Sequence, residues 1–140
     1  MSKTTILVTI IALILCVNIY GQSKANTVSI SKSKLIKIVN DAGTNHIMFN
    51  IKKRQLYILD ARRNALLPKR YRAPHNEVYT VYTVIEVLNK VEQTTKRKIK
   101  LYKNENGAVK FDIDTEVSTK SLVLTSEVDR FCPPGCSGLD

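Results

Sequence analysis

The string Cys132-Pro133-Pro134-Gly135-Cys136 carries the most distinctive chemistry in the sequence. Pro134-Gly135 suits the centre of a type II turn, because proline presets one backbone angle and glycine accepts the positive φ after it. Such a turn brings the two thiols together, and the expected product is a small disulfide loop joining Cys132 to Cys136. Redox catalysts place their cysteine pair at the start of a helix, two residues apart, so that the thiol pKa falls. The spacing here is wider. A secreted thiol-dependent enzyme using Cys132 or Cys136 is the alternative that this pair keeps open.

Carboxylates form the second group. Asp112, Asp114 and Glu116 alternate along one strand face, about 7 Å apart. That row has the residue types of an acid/base pair or a calcium site. Lysines at Lys96, Lys98 and Lys100 stand opposite in the expected hairpin, which favours a solvated ion-pair face. His46 and His75 are too far apart in sequence to suggest a shared site. His46 and Met48 share a strand face, yet an ordinary half-exposed strand explains them better than a soft-metal site. No catalytic residue, metal or cofactor is assigned on this basis.

Cations form the third group and the strongest functional hint. Lys52, Lys53, Arg54, Arg62, Arg63, Lys69, Arg70 and Arg72 face only Asp60 within that run, a local charge of +7 in a chain of net +10. If the loops carrying them share an edge, they make an anion-binding patch. Tyr57 and Tyr71 would then offer stacking surfaces. A second basic stretch, Lys90–Lys103, adds +5, while Glu105–Asp140 reverses the sign to −4. The plainer reading is a solvated basic surface partly neutralised by that acidic third.

Which anion such a patch meets depends on compartment. Lys3 precedes an apolar stretch from Ile6 to Val17, interrupted only by Thr9. This is the layout of a secretory signal, and it is shorter than the roughly 20 residues needed to span a bilayer. Cleavage is expected after Gly21 or Ala25, which makes 1–25 a signal peptide and 26–140 one small β-rich domain with a Cys-containing tail over 131–140. Export, periplasmic or secreted, excludes intracellular nucleic acid as partner. An anionic envelope component, a polysaccharide or an acidic protein remains, and nothing spans the membrane once the signal is gone. The leading reading is therefore an exported, non-catalytic binding protein. A precursor processed at its basic pairs is a third option, opposed by the strand patterns.

Those patterns supply the frame. Val109, Phe111, Ile113 and Val117 alternate with charged residues after Glu105-Asn106-Gly107, a strand with one buried face. A three-residue loop there sets Leu101 against Phe111 and Lys100 against Asp112; a two-residue loop would set Leu101 against Asp112. Apolar-to-apolar and plus-to-minus pairing favours the longer loop. Leu122–Val128 is expected to return as a third strand. His46–Ile51 and Gln55–Asp60 form another hairpin around Lys52–Arg54, Lys34–Val39 a further strand, and Pro68 and Pro74 bracket a basic loop. Val78–Leu88 is rich in β-branched and aromatic residues and is read as a strand. The expected fold is mainly β, a small antiparallel sandwich or barrel with hairpins at 46–60 and 96–117. The alternative is α+β, with one helix over 77–92 packed on an antiparallel sheet.

Overall fold

The computed structural model describes residues 26–113 and 130–133. The signal segment, the Leu122–Val128 strand, Asp114, Glu116 and Cys136 lie outside the described residues. Within them the chain runs β1 (Thr27–Ser31), α1 (Lys32–Asn40), β2 (His46–Lys52), β3 (Gln55–Asp60), β4 (Ala65–Leu67), β5 (Tyr79–Thr83), α2 (Val84–Glu92), β6 (Lys98–Lys103), β7 (Val109–Asp112) and β8 (Phe131–Cys132). The fold is mainly β, as the alternation implies. Two antiparallel sheets, β1-β6-β7 and β4-β3-β2-β5-β8, pack as a sandwich with open edges rather than a closed barrel.

The β6–β7 hairpin adopts the longer loop. Leu101 pairs with Phe111 and Lys100 with Asp112. Gly107 takes φ +82°, and Asn104 and Ala108 close the loop through a 2.8 Å backbone hydrogen bond. Only a residue that tolerates the left-handed region fits there.

Alternation on β2 sorts side chains to two sides of the larger sheet. Ile47, Phe49 and Ile51 join Ile30, Leu56, Ile58, Tyr82, Ile99 and Leu101 in the core. Met48 joins Leu59, Tyr79, Val81 and Cys132 in a second cluster. Both faces of this sheet are therefore covered, which explains its nearly unbroken apolar strands. Val109 ties β7 to the larger sheet: its N–H donates to Thr80 Oγ1 at 2.8 Å, and its carbonyl accepts from the Tyr82 hydroxyl at 2.6 Å.

Two expectations need correction. Lys34–Val39 is not a strand but lies within α1. The strand that precedes it is Thr27–Ser31, which pairs with β6 through Val28↔Leu101 and Ile30↔Ile99. Ser31 then accepts from the Lys34 N–H as an N-cap, and Leu35 and Val39, four residues apart, bury one helical face. Val78–Leu88 is neither one strand nor part of one long helix. It is a strand to Thr83 and a helix from Val84. Thr83 Oγ1 accepts from the Glu86 N–H at 3.1 Å, and Glu86 Oε2 accepts from the Thr83 N–H at 2.7 Å. This capping box outweighs the β propensity of the run, and Val87 and Val91 bury the helical stripe.

Candidate functional site

The β2–β3 hairpin places the first cations. Lys52 pairs with Gln55, so Lys53 and Arg54 form a two-residue turn. Their φ values are +48° and +62°. Positive φ at both central positions is the type I′ turn that matches strand twist, and it normally selects Asn-Gly. Two long side chains stand here in a region that L-residues avoid, and both are exposed.

At the far end of β3, Asp60 organises the turn into β4. Its Oδ1 accepts from the N–H groups of Arg62 and Asn64 at 2.9 and 2.8 Å. Arg63 takes φ +66°. Its Nη2 donates to the carbonyls of Pro74 and Glu77, each at 3.0 Å, and its guanidinium lies 5.1 Å from the centre of the Tyr79 ring.

Between these ends runs the strap that the sequence marked as a basic loop. It folds across the outer face of the larger sheet, anchored at Glu77. Lys52 Nζ meets Glu77 Oε1 at 2.5 Å. Glu77 Oε2 accepts from the hydroxyls of Tyr71 and Tyr79, both at 2.5 Å. Lys52 also donates to the Tyr71 hydroxyl at 2.6 Å and lies 4.4 Å from the centre of the Tyr57 ring. Tyr57 and Tyr71 pack on each other with ring centres 4.4 Å apart. Their planes are inclined at 54°, so the rings meet tilted rather than stacked.

The electrostatics mark this cluster as a clamp. Burial disfavours the Glu77 carboxylate, but hydrogen bonds from Lys52, Tyr71 and Tyr79 together outweigh it and hold the carboxyl below its ordinary range. Burial likewise disfavours charged Lys52, yet its bonds to Glu77 and Tyr71 raise its pKa. Burial and then the bond to Glu77 push the Tyr79 hydroxyl far up. Together these shifts keep Lys52 charged, Glu77 ionised and Tyr79 protonated around neutral pH.

The eight predicted cations therefore divide. Lys52 and Arg63 are built into the fold. Lys53, Arg54, Arg62, Lys69, Arg70 and Arg72 are exposed. Leu67 pairs with Ile58 in an antiparallel register, so the chain leaving β4 heads toward the Lys53–Arg54 turn. Tyr71, fixed to Lys52, holds Arg70 and Arg72 near that tip. Arg62 sits at the other end of six-residue β3, about 20 Å away at roughly 3.3 Å per residue. Arg70 and Arg72 flank Tyr71, whose hydroxyl is bonded to Lys52 beside the Lys53–Arg54 turn, whereas Lys69 lies with Lys34 and Lys37 on the α1 side of β4. The density of the cations was legible in sequence. The roles of Glu77 and Tyr79 were missed, because nothing local in Glu77-Val78-Tyr79 signals a partner at Lys52.

Of the other candidates, Cys132 is 1% exposed within the second cluster and pairs with Tyr79, a position closed to a substrate. Met48 is fully buried and cannot serve with His46 as an open metal site. Asp112 stands opposite Lys100 in the β6–β7 register. Among the described residues, no helix is long and apolar enough to cross a membrane. No protein-family model, curated protein or solved structure matches the chain.

Proposed function

We propose that this is an exported, non-catalytic binding protein whose basic face meets an anionic partner in the envelope or outside the cell. The observation that carries the reading is the Lys53–Arg54 turn. Strained backbone persists where the surroundings hold it in place and something is gained from it. An Asn-Gly turn would relieve the strain and remove two cations, yet the sequence keeps Lys-Arg at the tip. Arg70 and Arg72 beside it raise the local positive potential, which favours encounter with a polyanion. Acidic polysaccharide and anionic lipid surfaces fit this chemistry. The Cys132–Cys136 disulfide belongs to the same proposal, as a closure suited to an oxidising compartment.

Charge reversal of Lys53, Arg54, Arg70 and Arg72 together, each to Glu, tests the reading by retention on heparin and on phosphatidylglycerol vesicles. The proposal expects loss of retention with an unchanged circular dichroism spectrum. Unchanged retention on both supports overturns it. A thiol titration of exported protein that finds a reactive Cys132 or Cys136 would favour the thiol-dependent enzyme instead.

A further inference from the structure

A cleft of about 530 Å³ opens between α1 and the segment running from β4 to Lys69. Its volume lies within the roughly 300–1,000 Å³ of small-molecule sites. One face of α1 supplies Lys34, Lys37 and Ile38, three and four residues apart as helix geometry demands. Across the gap stand Ala65, Leu66 and Lys69. The floor is apolar and supported from beneath, since Ile38 and Leu66 pack against the main core. The rim is cationic. Lys34, Lys37 and Lys69 are all exposed, and they outnumber the single carboxylate on the cleft, Asp41.

An apolar floor under a ring of amines is amphiphilic. A purely hydrophilic anion would leave Ile38 and Leu66 wet, and an uncharged hydrocarbon would leave the amines without a counter-charge. A molecule that satisfies both has one acyl chain and one anionic head. Asp41 repels additional negative charge, so a singly charged head fits best. We infer that this cleft binds a long-chain carboxylate, with its chain along Ile38, Ala65 and Leu66 and its head among Lys34, Lys37 and Lys69. This site is separate from the hairpin tip.

Titrating the full chain with 11-(dansylamino)undecanoate, below micelle-forming concentrations, reads the site by fluorescence. The inference expects saturable enhancement, displacement by dodecanoate, and tighter binding from octanoate to tetradecanoate. It also expects at least tenfold weaker binding by the Lys34→Gln/Lys37→Gln/Lys69→Gln variant, whose changes are all at exposed positions. Displacement by acetate alone, equal displacement by dodecyltrimethylammonium, or an unaffected triple variant would each overturn it. The four-fold reversal at Lys53, Arg54, Arg70 and Arg72 should leave dodecanoate affinity within about twofold. Failure at the tip and failure at the cleft are therefore distinguishable.

Discussion

Lys52 Nζ meets Glu77 Oε1 at 2.5 Å, which takes a residue of the densest basic run out of the cationic surface and makes it an anchor. The Lys52 side chain is 31% exposed and that of Glu77 only 15%, so this pair is less screened than a surface ion pair. Its consequence is positional. Glu77 ends the strap over β3 and β2, and Tyr71 in that strap sets where Arg70 and Arg72 emerge.

Removing the Glu77 charge should loosen the clamp. Glu77→Gln leaves Lys52 and two tyrosine hydroxyls sharing a weaker acceptor, and a half-buried donor deprived of its partner costs about 2 kcal/mol. Urea unfolding should report that loss. Arg72→Gln, at an exposed position, should stay within about 0.5 kcal/mol of the parent.

The same clamp gives stability a pH dependence. The folded Glu77 carboxyl is held below its ordinary value of 4.5. Its stabilising contribution is therefore present above that value and fades as pH falls through the lower folded value. The stability gap between the parent and Glu77→Gln should be widest near neutrality and narrow in acid. On the alkaline side, Lys52 titrates above 10.5 when folded, so its share is complete below that pH and is lost only as pH rises through the higher folded value. A gap that widens in acid would count against the assigned pairing.

The hairpin tip should be stabilised by the residues its geometry prefers. Lys53→Asn with Arg54→Gly relieves positive φ at both positions and should add about 1 kcal/mol. Thermal unfolding should show a higher midpoint. A lower midpoint would mean that the two side chains support the fold.

The strand-to-helix switch at Thr83 depends on its capping box. Thr83→Ala removes the acceptor for the Glu86 N–H and should cost about 1 kcal/mol. Restoring the cap with Ser should recover most of it, as read by the same unfolding curves.

How much of this was legible follows from which interactions are local. The β6–β7 register could be read because cross-strand pairs such as Lys100–Asp112 sit close in sequence and their mismatch is visible. The β2–β3 hairpin was legible for the same reason. Lys34–Val39 reads as a strand on the β propensity of Ile36, Ile38 and Val39, but Leu35, Ile36, Ile38 and Val39 already lie at helical spacing, and that spacing wins. The Thr83–Glu86 box was present in the sequence, but the β-branched run before it masked the boundary. The clamp was illegible because Lys52, Arg63, Tyr71 and Glu77 meet only after the strap folds over, and composition cannot separate an inward cation from an outward one.

We propose that the tip holds Lys53 and Arg54 outward, against their backbone preference, to bind an anion. Heparin chromatography of Lys53→Asn/Arg54→Gly beside the parent measures this most directly. The variant, although more stable, should elute at clearly lower salt. Elution of both proteins at the same salt would contradict it.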